Sequence, residues 1–491
     1  MDPLVVPREG HRLSRRDVDP DALRVLYRLQ QHRYTAYLVG GSVRDLLLGR
    51  PPKDFDIGTD AHPYQIKKLF RNCWIIGRRF RLAHIKFGTK TIEVATFRRN
   101  VPDAAAAEAL ADAAPEVTLA ASSSPPGVEI PAKWVPADHH VSGGDEPGDA
   151  HDPHGLVHRD NTFGTPEEDA FRRDFTVNAL FYDVATKSVI DYVGGLEDLE
   201  RGVIRSIGDP RVRFVEDPVR MFRAAVLSAR LSFDIDGLVL EAIDELGHLI
   251  TKASPARMLE EYFKVLRSGY AEASFRMLWR TGLLEKITPE LKSPPERFWA
   301  GLAALDQYRQ RFPSSPPELT NAVLIGTMLE PLGVLRRGPD RGESDDEAPR
   351  VSFGALPVAR KDVDRLRQIL QTLPRLADPA LPPRVARGLP HRPSFPDTLT
   401  WFEIFDGDTE LVSRWKAARA EYVQVHGDRR ARGSGRGGGH GRPHGDGHTR
   451  HQGGQPGPPA DPASFPQEGG ADAPPRRRRR RRRRRGGRPP T

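Results

Sequence analysis

Apolar positions recur at helical spacing near the start of the chain and at strand spacing soon afterwards. Asp19-Pro20 reads as an N-cap and first helical position, and Leu23, Leu26, Tyr27 and Gln30 follow at helical intervals. A short strand over 36–39 runs into Gly40-Gly41, and Ser42 is expected to cap a brief helix that stops at Gly49. A strand around 55–57 and a helix after Pro63 come next, then apolar strand-like runs at 74–76, 84–87 and 91–97. Helices early and adjacent strands late predict a mixed α/β unit.

Residues 101–158 break the pattern. They are rich in Ala, Pro, Gly and Ser, and are expected to be a largely disordered insertion. Patterned sequence resumes at Leu156, and from about Gly202 to Val425 it is helical. Pro255 opens a helix with Met258, Tyr262, Val265 and Leu266. Val363, Leu366, Ile369, Leu370 and Leu373 mark another, and Leu411, Trp415, Ala418 and Tyr422 a third. Residues 337–349 read as a linker. Residues 426–491 hold no Leu, Ile, Val or Met and one aromatic, Phe465, too little apolar surface to offset ordering entropy. The fold class expected is α+β, mixed at the front and helical behind.

Charge and cysteine content narrow the class. The formal net charge of the 491 residues is +9, but ten of the positives form one run, Arg476 to Arg485, and the remainder carries −1. The basic character belongs to a tail, and points to an anionic partner. A lone cysteine, Cys73, excludes an internal disulfide and a tetrahedral cysteine-based zinc site. No apolar stretch approaches the roughly 20 residues a membrane span needs, and residues 1–10 lack the apolar core of a signal peptide. The expectation is a cytoplasmic protein without a membrane partner.

The sharpest chemical signal is LVGGSVRDLLLGRPPKDFDIGT, residues 38–59. Asp54 and Asp56, two apart on an expected strand, would share one face and offer hard oxygen ligands to Mg²⁺. Gly40 and Gly41 precede a helix start, where bare amides can approach phosphate oxygens, and Arg44 lies one turn in. Metal–triphosphate chemistry follows. Two metal ions roughly 4 Å apart would lower the pKa of an attacking 3′-hydroxyl and stabilise departing pyrophosphate. Glu93, in TIEVATF, is a candidate third carboxylate; an ordinary solvent-facing strand residue is the alternative. His151-Asp152 matches the phosphohydrolase dipeptide, but no supporting helical histidines accompany it.

These residues resemble the first motif of the class II template-independent nucleotidyltransferases, the family of bacterial poly(A) polymerases and CCA-adding enzymes. RRDFTVNAL, with Arg172, Arg173, Asp174 and Asn178, resembles the second motif. DYVGGLEDL, with Asp191, Gly194, Gly195 and Asp198, resembles the third. EDPVRMFRA, with Glu216, Asp217, Arg220 and Arg223, resembles the fourth, and Arg257 in SPARMLEE is a weaker fifth match. The resemblance covers about residues 13–290. It implies two Mg²⁺ ions held by Asp54 and Asp56, with Glu93 or Asp174 completing the acidic set. It implies ATP as substrate, its triphosphate on Gly40, Gly41, Arg44, Arg172 and Arg173. Asn178 would share a helical face with Asp174. Asp217 and Arg220, three apart on a helix, would read the adenine edge in place of a template; an exposed i,i+3 ion pair is the alternative.

Poly(A) and CCA synthesis share those motifs. The stretch IIGRRFRLAHIKFG, residues 75–88, resembles the segment that sets the poly(A) polymerases apart, with Arg78, Arg79 and Arg81 adding charge for phosphate. LSRRDVDPDAL at 13–23 and KLFRNC at 68–73 resemble that group too. The implied layout is a nucleotidyltransferase head over 13–200 carrying the 101–158 insertion. A helical neck over 201–290 would select nucleotide and bind RNA, a helical body over 291–425 would guide RNA, and a disordered basic tail would occupy 426–491. Implied partners are single-stranded RNA 3′ ends, with RNA-decay or RNA-chaperone proteins as candidates.

Overall fold

The computed structural model describes residues 2–77, 81–99, 163–335 and 353–426. The first helix starts where the sequence places it. Asp19 Oδ1 accepts the amides of Asp21 and Ala22, and Pro20 opens α1 (Pro20–Gln31). Its buried stripe is Ala22, Val25, Leu26 and Leu29, so Leu23 and Tyr27 lie on the flanks rather than at its centre.

An eight-stranded sheet follows from strands β1 (Leu4–Val6), β2 (Ala36–Val39), β3 (Asp56–Thr59), β4 (Cys73–Ile76), β5 (Leu82–Phe87), β6 (Lys90–Thr96), β7 (Leu180–Asp183) and β8 (Ser188–Asp191). Their order is β1-β8-β7-β2-β3-β6-β5-β4. Among the described residues of this sheet only β3 and β6 pair in parallel, and that pairing sets Asp56 opposite Glu93. Strands β1, β7 and β8 were not expected from periodicity. They lie in short apolar runs that a period of two cannot distinguish from loop.

Helix α1 and α3 (Pro63–Leu69) cover one face of the sheet, in a core with Leu38, Ile57, Ile85 and Val94. On the other face, Val39, Phe97, Phe181 and Ile190 pack with Ala170 and Ala179. Between β2 and β3, α2 spans Gly41–Leu47. Its N-cap is Gly40, with no side-chain cap. Ser42 lies within the first turn and donates to the Val39 carbonyl at 2.9 Å, so it does not cap the helix.

Beyond β6, α4 (Pro166–Phe171) and α5 (Gly195–Arg201) flank β7 and β8. Then come α6 (Pro210–Glu216), α7 (Val219–Leu231), α8 (Gly237–Leu246) and α9 (Pro255–Leu266), with a two-residue parallel pairing of 203–204 and 234–235. A core around Phe222, Tyr262, Phe275 and Phe298 runs through these helices into later ones. The expected helices near 363 and 411 are present as Arg360–Ala377 and Thr409–His426. A smaller cluster, with Phe395, Phe402 and Trp415, closes the described chain. Among the described residues no helix is long and apolar enough to cross a membrane. The 101–158 insertion, His151-Asp152, the 337–349 linker and the arginine run lie outside the described residues, as do Arg78 and Arg79.

Candidate active site

The glycine turn comes first because its geometry admits the cations around it. Gly40 has φ +73°, a conformation that costs glycine least. A Cβ there would meet Arg173 Nη1 at 3.0 Å, and one on Gly41 would meet Arg44 Nη2 at 3.3 Å. Two bare backbone positions thus let two guanidinium groups close over the turn.

Arg44 is turned inward and is 3% exposed. Its Nε and Nη2 donate to Asp45 Oδ1 at 2.9 and 2.7 Å, and its Nη1 donates to Asn178 Oδ1. Burial lowers its pKa from the ordinary value even with Asp45 alongside, yet a guanidinium stays charged near neutrality. Arg44 therefore braces the turn and does not present a free cation to it. The more open cations belong to the second motif. Arg172 Nε donates to Asp169 Oδ1 at 2.8 Å, and Arg173 Nη2 to Asp169 Oδ2 at 2.9 Å. Burial opposes ionisation of Asp169, but the two arginines outweigh it and hold the carboxyl below its usual range.

Asp174 and Asn178 are close, as expected, but not by helical spacing. Helix α4 stops at Phe171, Phe175 is extended, and a 3₁₀ turn at Thr176–Asn178 brings Asn178 Nδ2 to 3.5 Å from Asp174 Oδ1. The third motif is structural. Asp191 is buried and accepts the amides of Val193, Gly194, Gly195 and Leu196 at 2.9–3.0 Å. Asp198 accepts from Thr176 Oγ1 at 2.6 Å and Arg205 Nε at 3.0 Å.

The aspartate pair differs from the expectation in one respect. Strand β3 begins at Asp56, so Asp54 lies in the preceding loop and shares no strand face with it. The Asp54 side chain is 72% exposed, with Lys53 Nζ at 3.7 Å. Asp56 opens onto the cleft but is hemmed by protein elsewhere. Its carboxyl is pushed up to about 6 by desolvation, then by the Glu93 and Asp54 carboxylates, against the opposing pull of Arg173.

Asp217 and Arg220 are not a helical pair either. Asp217 is the extended residue between α6 and α7. Its Oδ1 accepts from Arg257 Nη1 at 3.0 Å and the Val219 amide at 3.2 Å. Its Oδ2 accepts from Arg257 Nη2 at 2.8 Å and Arg223 Nη2 at 3.2 Å. Burial works against its charge, but Arg257, Arg223 and Arg220 hold the carboxyl below its ordinary range. Arg220 instead donates to the Arg213 carbonyl at 2.9 Å and Glu216 Oε2 at 2.8 Å.

One cleft of about 740 Å³ gathers most of these groups. Gly40, Gly41, Arg44, Asp56, Arg172, Arg173, Asp174, Asn178, Asp217 and Arg220 line it; Asp54 and Glu93 do not. Its walls carry nine arginines against four carboxylates, a setting for a polyanion. Sequence reasoning left three of those arginines unassigned. Arg230 follows Arg220 and Arg223, both named in the fourth motif, at helical spacing on α7, a signal that was legible. Arg98 and Arg99, at the end of β6, gave no such signal. Asp45 was also missed: it joins Arg44 to Arg230, whose Nη2 lies 2.8 Å from its Oδ2.

The residues fit divalent metal by the chemistry of their donors. Three carboxylates are near enough that two of them raise the pKa of the third, a repulsion a cation relieves. Among the described residues, no three acidic, histidine or cysteine side chains form a closed site. Mg²⁺ is commonly held by one or two carboxylates together with substrate phosphates, so a closed protein cage is not required.

Two family models and several known proteins match parts of this chain. Residues 36–205 match the family described as "Poly A polymerase head domain", and residues 232–293 match "Probable RNA and SrmB- binding site of polymerase A". Poly(A) polymerase I of Salmonella typhimurium is 44% identical over 287 residues, 58% of this chain and 54% of that protein. The CCA-adding enzyme of Bacillus pumilus is 31% identical over 267 residues, 54% of each. The chain spans about half the length of the curated relatives it matches. The crystal structure of the Bacillus stearothermophilus CCA-adding enzyme in complex with CTP superposes with a TM-score of 0.54 at 25% identity, over 82% of this chain and 83% of that one. Residues 36–205 are thus similar to the poly(A) polymerase head domain, and relatives named poly(A) polymerase I and CCA-adding enzyme resemble a little more than half of the chain.

Proposed function

We propose that this chain adds AMP from ATP to RNA 3′ ends without a template. The observation that carries this is one cleft whose lining includes Asp56, the Gly40-Gly41 turn and nine arginines. The relatives named Poly(A) polymerase I, at 40–44% identity, favour adenylate tails over CCA. The solved CCA-adding enzyme carries CTP, which supports a nucleotide as the occupant of the cleft.

In this reading Asp54 and Asp56 hold Mg²⁺, with Glu93 or Asp174 as the further carboxylate. The metal, when bound, would activate the 3′-hydroxyl and neutralise charge on departing pyrophosphate. Gly40 and Gly41 give the triphosphate a close approach, and Arg172 and Arg173 meet its charge. Arg44 acts from below, holding the turn and Asn178. Adenine reading by Asp217 and Arg220 requires an exchange. A carboxylate offers about four acceptor positions, and Asp217 already receives four hydrogen bonds. The N6 amino group of adenine must displace one of them, and the 3.2 Å Arg223 contact is the longest from a side chain.

The proposed layout is a head at 13–200, to whose sheet β1 (Leu4–Val6) adds an edge strand, a neck at 201–290 for nucleotide selection and RNA binding, an RNA-guiding body at 291–425 and a basic tail at 426–491. The test is incorporation of each of the four nucleotides, singly and together, on a generic RNA and on a tRNA lacking its CCA end. Long tails from ATP on both are the expected result. Addition that stops after three nucleotides, two of them C, would establish CCA synthesis instead.

A further inference from the structure

We propose that the outward face of β6, β5 and β4 is a track for the single-stranded RNA just upstream of its 3′ end. Trp74 is its base-stacking platform and Lys86 its phosphate contact. The proposal rests on the polymerase reading above and extends it to the path of the RNA.

The register of the sheet defines the track. Asp56 pairs with Glu93, Glu93 with His84, and His84 with Trp74, so the four residues form one row across four strands. Residues in such a row project to the same face. The neighbouring row, Ile57, Val94 and Ala83, is buried against the helices on the opposite face. The outward row stays open: Glu93 has a 49% exposed side chain, and Trp74 is 50% exposed on β4, the edge strand. At about 4.8 Å between strands, Trp74 stands about 14 Å from Asp56.

The reaction selects this side. In an in-line displacement the attacking and leaving oxygens lie on opposite sides of the phosphorus. The glycine turn, at the end of β2, lies to one side of Asp56, and β6 lies to the other. A triphosphate on the glycine turn leaves the β6 side for the incoming 3′-hydroxyl, and the nucleotides behind it cross β5 and β4.

The chemistry of that surface suits nucleic acid. Strands β4 and β5, CWII and LAHIKF, contain no carboxylate. Lys86, two residues beyond His84 on the same face, places its Nζ 5.1 Å from the centre of the Trp74 ring. A half-exposed ring with a cation held over it combines the stacking surface and the charge that hold single strands without regard to sequence. If Lys86 only packs its stem on the ring, RNA has no part in the contact.

The test uses the full chain and an unstructured RNA with 5-iodouridine a few nucleotides from its 3′ end. Irradiation should join that base to Trp74, as located by peptide mass spectrometry. Trp74→Ala should weaken RNA binding about 5- to 100-fold, whereas Trp74→Phe keeps most of it. Lys86→Gln should reduce the slope of log affinity against log salt by about 0.7. The KM for ATP should not move, which separates the track from the nucleotide cleft. Crosslinks that avoid β4 and β5, or Trp74→Ala binding RNA as the parent does, would overturn the track and leave this face to a protein partner. Whether the parent protein tails RNA at all is scored separately, so failure of the polymerase reading is distinguishable from failure of the track alone.

Discussion

Asp56 faces a cleft of arginines on one side and two carboxylates on the other, and its ionisation records the balance. Its folded pKa of about 6 lies above the ordinary aspartate value of 3.8, so the folded protein binds the proton more tightly than the unfolded chain does. The corresponding stability is fully present below about pH 4 and is lost as pH rises through about 6. Comparing thermal midpoints across that range for the metal-free parent and Asp56→Asn isolates this slope, which the variant should lack. Mg²⁺ should shift the Asp56 midpoint downward, since a cation favours the carboxylate. Asp54→Ala should abolish transfer and leave RNA binding nearly unchanged, read by primer extension and filter binding. Full activity in that variant would remove the metal assignment. A serine-capped α2 was expected, but a glycine at positive φ starts the helix, a backbone conformation that L side chains rarely adopt.

At the level of elements, the short break between α6 and α7 matters more than either helix. It frees Asp217 from helical geometry, so its carboxylate turns to Arg257 on α9, forty residues on, rather than to Arg220. Spacing in sequence could place Asp217 and Arg220 one turn apart, and the Arg220 amide does bond the Asp217 carbonyl at 3.0 Å, but spacing could not show that the carboxylate turns away to Arg257. The third motif is similar. Asp191 ties the end of β8 to the start of α5 through four amides. Asp191→Ala would leave one buried and three partly buried amides without their acceptor, at a cost of about 3 kcal/mol in urea unfolding. The KM for ATP in the folded fraction should stay near the parent value. A large rise in that KM with stability intact would assign Asp191 to the site instead.

Across the whole molecule, charge is divided between a near-neutral body and a run of ten arginines. Inside the body, positive charge is concentrated in the cleft. The two sources are separable by salt. Each phosphate neutralised on a single strand contributes about −0.7 to the slope of log affinity against log salt. A chain ending at residue 426 should therefore bind long RNA with a shallower slope and lower affinity. Its tailing of a short primer at low salt should fall less. Equal slopes for the two lengths of chain would show that the arginine run does not touch RNA.

The sequence alone determined the elements and the chemical inventory. Helix caps, glycine pairs and acidic motifs act through neighbours within a few residues, so Asp19, Gly40-Gly41 and the DxD were legible in the order of the residues. It also gave the α+β class, since apolar periods of 3.6 and 2 are local properties. Only the tertiary structure decided which charges meet. Asp45 with Arg230, Asp217 with Arg257, and the row from Asp56 to Trp74 each join residues far apart in the chain. Such pairings depend on strand order and helix docking, which burial of the apolar faces settles and no local spacing encodes.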